Sequence, residues 1–122
     1  MSLLNCTPHP INIMTEQGVK TLPKSATPAR VTTSSEVVGS LNGIDVYQET
    51  LGEVYDLPAP EEGAYLLVSR MVAAACPNRI DLLVPGALVR DQDGRIVACK
   101  GLIAPNGVDF DLRADTPATP FG

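Results

Sequence analysis

Apolar residues recur in short runs punctuated by glycine and proline, a pattern of strands and tight turns. Pro10-Ile-Asn-Ile-Met14 alternates apolar and polar positions, Thr15-Glu-Gln-Gly18 supplies a turn, and Val19 to Leu22 returns. This predicts an opening hairpin within residues 1–24. Ala29 to Thr33 predicts a short strand. Val37 and Val38 lead into Leu41-Asn42-Gly43, and Asn-Gly is a strong hairpin signal. Ile44 to Tyr47 predicts the returning strand, and Glu49 to Tyr55 another. A Pro-rich loop, Leu57 to Gly63, closes the first half.

The second half opens on the apolar run Ala64-Tyr-Leu-Leu-Val68. Ser69 follows as a helix N-cap, then Arg70, and Pro77 stops a helix of about two turns ending at Cys76. Asp81 to Val84 predicts a buried strand that Pro85-Gly86 breaks. Leu88 to Arg90 and Arg95 to Cys99 flank the turn Asp91-Gln-Asp-Gly94. From Pro105 the chain is rich in Pro, Ala and Asp. Val108 to Leu112 alternates like an edge strand, and Thr116 to Gly122 predicts a mobile tail. The order strand, helix, strand over 64–84 suggests a crossover. Its helix is short for covering a sheet face, so the helix is expected to cap a barrel end. The expected fold is α+β, mainly antiparallel β, a small barrel-like or sandwich domain with one short helix at about 69–76. Residues 1–104 would form one domain and 105–122 an arm or tail.

Composition narrows the function classes. The chain has 122 residues, enough for one core, and carries a formal charge of −5 with only 4% aromatic residues. Proteins that neutralise many phosphates carry a basic excess, and single-strand binders stack bases on exposed rings. General nucleic-acid binding is therefore not expected. No apolar stretch nears the roughly 18 residues of a membrane span. Cys6, Cys76 and Cys99 are odd in number and lack CxxC spacing, and Met1 to Leu4 carry no signal-peptide pattern. Free thiols in a reducing cytoplasm are the expectation.

Candidate chemistry is sparse. His9, the only histidine, is displayed between Pro8 and Pro10 and would serve as a ligand contact or a base. A Cys–His pair is formally available. Cys76, however, falls at the end of the predicted helix, where the dipole opposes negative charge, and Cys99 alternates into a strand interior. The cysteines match no zinc spacing, and Asp91 and Asp93 lack the distal glutamate of a calcium loop. No metal, cofactor or catalytic set is implied. What stands out is Ser69 and Arg70, where a strand end opens a helix whose first N–H groups lack intrahelical partners. Arginine forks pair with phosphate or carboxylate. Arg30, Thr33 and Ser35 would complete a pocket, with His9 beside it. The plainer readings are an N-cap for Ser69, a surface ion pair for Arg70, and cross-strand ion pairs for Arg90 and Arg95.

Asn5 to Ile13, Ala29 to Val38, Val68 to Ala75 and Val89 to Val97 occur in an order that resembles a group of small proteins of tailed phages, prophages and bacteria with a TPHPINI-type N-terminal motif. The resemblance covers roughly residues 5–102. No secure activity attaches to the group, so no catalytic residue is carried over. It implies a virion accessory, a regulator of host proteins or a counter-defence factor, and raises the weight of an anion-binding, non-catalytic module.

The first expectation is therefore a non-enzymatic binder of a small anionic, nucleotide-like ligand, with a phage-type counter-defence, sequestering role as one form of it. Ser69, Arg70, Arg30, Thr33, Ser35 and His9 would line its site. The second is a protein-interaction or virion accessory module using an edge strand or the 105–122 tail. The third is a small hydrolase using His9. A homo-oligomer is expected, because edge strands are commonly closed by pairing chains.

Overall fold

The structure, a computed structural model, describes residues 2–107. Val108 to Leu112 and the tail, expected above as a strand and an arm, lie outside the described residues. Eight strands and one short helix follow in order: β1 (Ser2–Asn5), β2 (Ile11–Thr15), β3 (Gly18–Leu22), β4 (Arg30–Leu41), β5 (Ile44–Tyr55), β6 (Ala64–Leu67), α1 (Arg70–Ala75), β7 (Leu82–Arg90) and β8 (Ile96–Ile103). The expected class holds: a β-rich domain with one short helix, built as a curled half-barrel sheet and a second small sheet.

The curled sheet runs β1-β6-β7-β8-β2-β3, and β4-β5 stand apart as a two-stranded ribbon. Most paired residues lie in the antiparallel pairs β4-β5, β7-β8 and β2-β3. Three parallel pairs close the rest: β1-β6, β6-β7 and β2-β8. The β6-α1-β7 unit is a true parallel crossover. Residues 68–81 suffice because β6 and β7 share only two register positions, Leu66↔Leu82 and Leu67↔Leu83.

Two apolar clusters fill the sheet. Cys6, Ala29, Leu66, Val68, Val72, Ala73, Leu82 and Val84 form the first, and α1 contributes Val72 and Ala73 to it. Ile13, Leu22, Leu67 and Cys99 form the second on the β2-β8 side. Burial pushes the Cys6 thiol pKa up, so it packs as a small apolar group.

Two strand expectations need correction. Pro85-Gly86 does not break β7, which runs in unbroken register from Val84↔Ile103 to Val89↔Ala98. The pairing with β6 ends at Leu83, so a residue without an N–H is tolerated on that side. Gly86 is required there: a Cβ would collide with the backbone carbonyls of Lys100 and Gly101. Nor do Ala29–Thr33 and Val37–Val38 form separate pieces. Arg30–Thr33 and Val37–Val38 belong to one twelve-residue strand, β4, and Ile44–Tyr47 and Glu49–Tyr55 belong to another, β5.

Candidate functional site

The residues singled out in the sequence lie on three parts of the chain: the turn between β1 and β2, β4, and the start of α1. Ser69 is the N-cap of α1, and its hydroxyl accepts the Val72 N–H at 3.2 Å. Arg70 begins the helix and is exposed, with no side-chain partner among the described residues. Arg30 starts β4, where its guanidinium lies 3.9 Å from Asp56; both are exposed, so the pair contributes less than about 1 kcal/mol. Arg30 also lines a shallow groove with Val31, Thr32 and Tyr55. Thr33 and Ser35 lie farther along β4, exposed and opposite Leu51 and Glu49. The three best-formed cavities among the described residues are lined by residues other than Ser69 and Arg70. Among the described residues Arg90 has no carboxylate partner; it donates to the Gly94 carbonyl at 2.8 Å.

His9 contributes its backbone. Its ring is exposed, whereas its carbonyl accepts the Asn5 Nδ2 donor at 2.9 Å and lies 2.9 Å from the Thr7 hydroxyl. The centre of this turn is Asn5, which is 4% exposed. Its Nδ2 also reaches the carbonyls of Leu22 and Pro23 at 3.3 and 3.0 Å. Its Oδ1 accepts the Thr7 N–H at 2.9 Å and the Thr7 hydroxyl at 2.7 Å. The Thr7-Pro-His-Pro10 stretch is thus locked to the end of β3. Sequence reasoning missed Asn5, although a lone amide ending an apolar run was the available signal. It also missed Asn106, whose amide donates to the carbonyls of Ala73, Cys76 and Arg79, closing the end of α1 and tying Asn106 to the body.

Arg79 forks onto Asp81, at 2.8 and 2.7 Å, and donates to the Pro58 carbonyl at 2.9 Å. Hydrogen bonding from Arg79 holds the Asp81 carboxyl below its ordinary pKa. The linked stability is therefore full above the unfolded carboxylate value of about 3.9 and is lost as pH falls through the lowered folded value. Urea midpoints of the native chain and Asp81→Asn should differ at neutral pH and converge in acid. A gap that stays constant would contradict the assignment.

The most unusual surface is the β4-β5 ribbon. Asn42 and Gly43, at φ 52° and 80°, make its tip, as Asn-Gly turns do. The register shifts between Val37 and Gly39 and again between Val31 and Thr33. At the second shift the Thr32 hydroxyl accepts the Glu53 N–H at 3.0 Å. Val31 and Val54, the two half-buried residues of the ribbon, pack on the first core cluster. Every other residue of both strands is exposed. Leu41 and Ile44, at 66% and 68% exposure, pair at the tip and share a face with Val46. Val37 pairs with Tyr47 on the opposite face, where Leu51 also lies. Both faces thus present large apolar side chains to solvent, and among the described residues neither edge is paired to a third strand.

Compared with known proteins, the chain matches no family model, no curated protein and no solved structure. Among the described residues no helix is long and apolar enough to cross a membrane, and no group of His, Cys, Asp and Glu is placed to hold a metal ion.

Proposed function

We propose that this chain is a non-catalytic interaction module that grips a protein partner with the β4-β5 arm. One observation carries the reading: a two-stranded ribbon, anchored only at its base, exposes apolar side chains on both faces. A lone two-stranded hairpin is marginal in water. Large contiguous apolar exposure marks association surfaces, and free strand edges invite pairing. Burial of the arm against a partner removes both liabilities. The test is a photo-crosslinking residue at Tyr47, introduced in the cells that make the protein. A discrete protein adduct is expected from Tyr47, and none from a matched probe at exposed Glu16. Equal labelling at both sites, or none at Tyr47, overturns the reading.

A second reading, the small-anion binder, is supported by Arg70, an exposed guanidinium without a side-chain partner among the described residues. It would apply in the sequestering, counter-defence setting set out above. Arg70→Ala should abolish binding of a nucleotide panel measured by calorimetry while leaving the melting temperature unchanged. Unaltered binding would remove Arg70 from the site.

A further inference from the structure

Asparagine followed by glycine is a chemically labile pair, because glycine has no Cβ to shield its nitrogen from the preceding side-chain amide. Two such pairs occur in the chain, Asn42-Gly43 and Asn106-Gly107. The fold treats them differently. Asn106 is half-buried, and its Nδ2 donates to the carbonyls of Ala73, Cys76 and Arg79 at 3.1, 2.9 and 3.3 Å. The Gly107 N–H donates to the Ala104 carbonyl at 3.5 Å. The amide that would leave is thus held by three acceptors, and the nitrogen that would attack is itself engaged. Asn42, in contrast, is exposed at the tip of the ribbon, and among the described residues its side chain has no hydrogen-bond partner. Gly43 is exposed beside it, with nothing within 4 Å of the place a Cβ would take. Attack requires the turn to unwind from its φ values of 52° and 80°. Apart from Val31 and Val54 at the base, every residue of the two strands is exposed, so the tip can open without disturbing the core.

We infer that Asn42-Gly43 is a site of spontaneous modification, which converts the apolar tip of the arm into an acidic one, and that the fold protects Asn106-Gly107 from the same reaction. The Gly43 nitrogen loses its proton and bonds to the Asn42 Cγ. The Cγ–Nδ2 bond breaks, and Nδ2 leaves as ammonia with that proton, closing a succinimide ring. Water then opens the ring. Cleavage between Cγ and the Gly43 nitrogen gives aspartate, and cleavage between the Asn42 main-chain carbonyl and that nitrogen gives isoaspartate, whose backbone runs through Cβ. Either product is an acid within the tip from Leu41 to Ile44, a segment that carries no charge as synthesised. Isoaspartate also lengthens the main chain of a two-residue turn, so the Leu41↔Ile44 pair loses its register. The consequence for partner binding rests on the arm reading above: a carboxylate at the tip must shed its water when the tip is buried, which weakens the grip.

Peptide mapping tests the chemistry without reference to any partner. The full chain is incubated folded, and in parallel in urea, in water enriched in heavy oxygen, and then digested. Trypsin cuts after Arg30 and Arg70 and releases 31–70, in which Asn42 is the only asparagine; cuts after Lys100 and Arg113 release 101–113, in which Asn106 is the only one. Mass spectrometry of the two peptides reads conversion of amide to acid and uptake of the label. In the folded chain Asn42 should convert faster than Asn106 by on the order of tenfold or more, the effect of three hydrogen bonds at about 1 kcal/mol or less each. In urea the two should convert at similar rates. Equal rates in the folded chain, or a folded chain in which Asn42 stays intact while the unfolded one converts, overturn the inference. Asn42→Asp carries the acid from the start and, at an exposed position, should fold normally by circular dichroism; it should cut the Tyr47 adduct several-fold. An adduct of unchanged yield overturns the effect on the grip, whereas conversion at Asn42 in a chain whose Tyr47 probe captures nothing upholds the modification and overturns the arm reading.

Discussion

Asn5→Ala will lower the melting temperature by on the order of 10 °C or more, the effect of losing about 3 kcal/mol in a domain of this size. The side chain is buried and joins three carbonyls, an N–H and a hydroxyl within one turn. Alanine leaves the Leu22 carbonyl and the Thr7 N–H without these partners where water is scarce, and stranded buried groups cost more than a hydrogen bond contributes. The turn also sets β2 against β3, so the second apolar cluster should loosen with it. Thermal unfolding followed by circular dichroism measures the loss. His9→Ala is the control: the shared group is the backbone carbonyl, so that variant should melt within about 1 °C of the native chain, a change of a few tenths of a kcal/mol at most. Equal losses in the two variants would show that the ring, and not Asn5, organises the motif.

Gly86→Val will cost about 3 kcal/mol or more. The new Cβ meets two backbone carbonyls, those of Lys100 and Gly101, and backbone in a ladder cannot swing aside as a flexible side chain can. Lys100 is also tied to Met14 of β2, so any retreat of β8 disturbs the neighbouring pair. Gly39→Ala provides the comparison, since nothing lies within 4 Å of a Cβ placed there. It should change stability by less than about 0.5 kcal/mol. Denaturant midpoints for the two variants give the contrast directly, and similar midpoints would refute the close approach.

These positions show what could be read from the chain. Asn42-Gly43 and Asp91 to Gly94 were legible as turns because turn chemistry is local: it needs only residues that accept a left-handed backbone or bond their own loop. Ser69 was legible as a cap for the same reason; its hydroxyl accepts from the helix and keeps its own proton to donate. Pro85-Gly86 misled because the same residue types serve a sheet bend, and only the neighbour across the ladder distinguishes a bend from a break. The length of β4 was hidden by Thr32 to Ser35. A strand exposed on both faces has no alternation to detect, because alternation records one buried side. The parallel pairing of β1 with β6 joins residues far apart in sequence, which no local window reports. Arg30, Thr33 and Ser35 fall on β4 and Arg70 at the start of α1, a placement that residue types alone do not report.

The pairing of Ser2–Asn5 with Ala64–Leu67 has a consequence for how freely the arm can change. To the body, everything between those two strands is one closed loop, and the ribbon is an excursion within it. The entropy of closing a loop grows only logarithmically, about 0.6 kcal/mol for each doubling of length. Adding or removing cross-strand pairs beyond Val31 and Val54 therefore alters reach by roughly 3.4 Å for each pair while leaving the body's stability nearly constant. Reach and foldedness are separate variables in this architecture. The distance at which the tip stands from the body can drift under selection without endangering the domain that carries the arm.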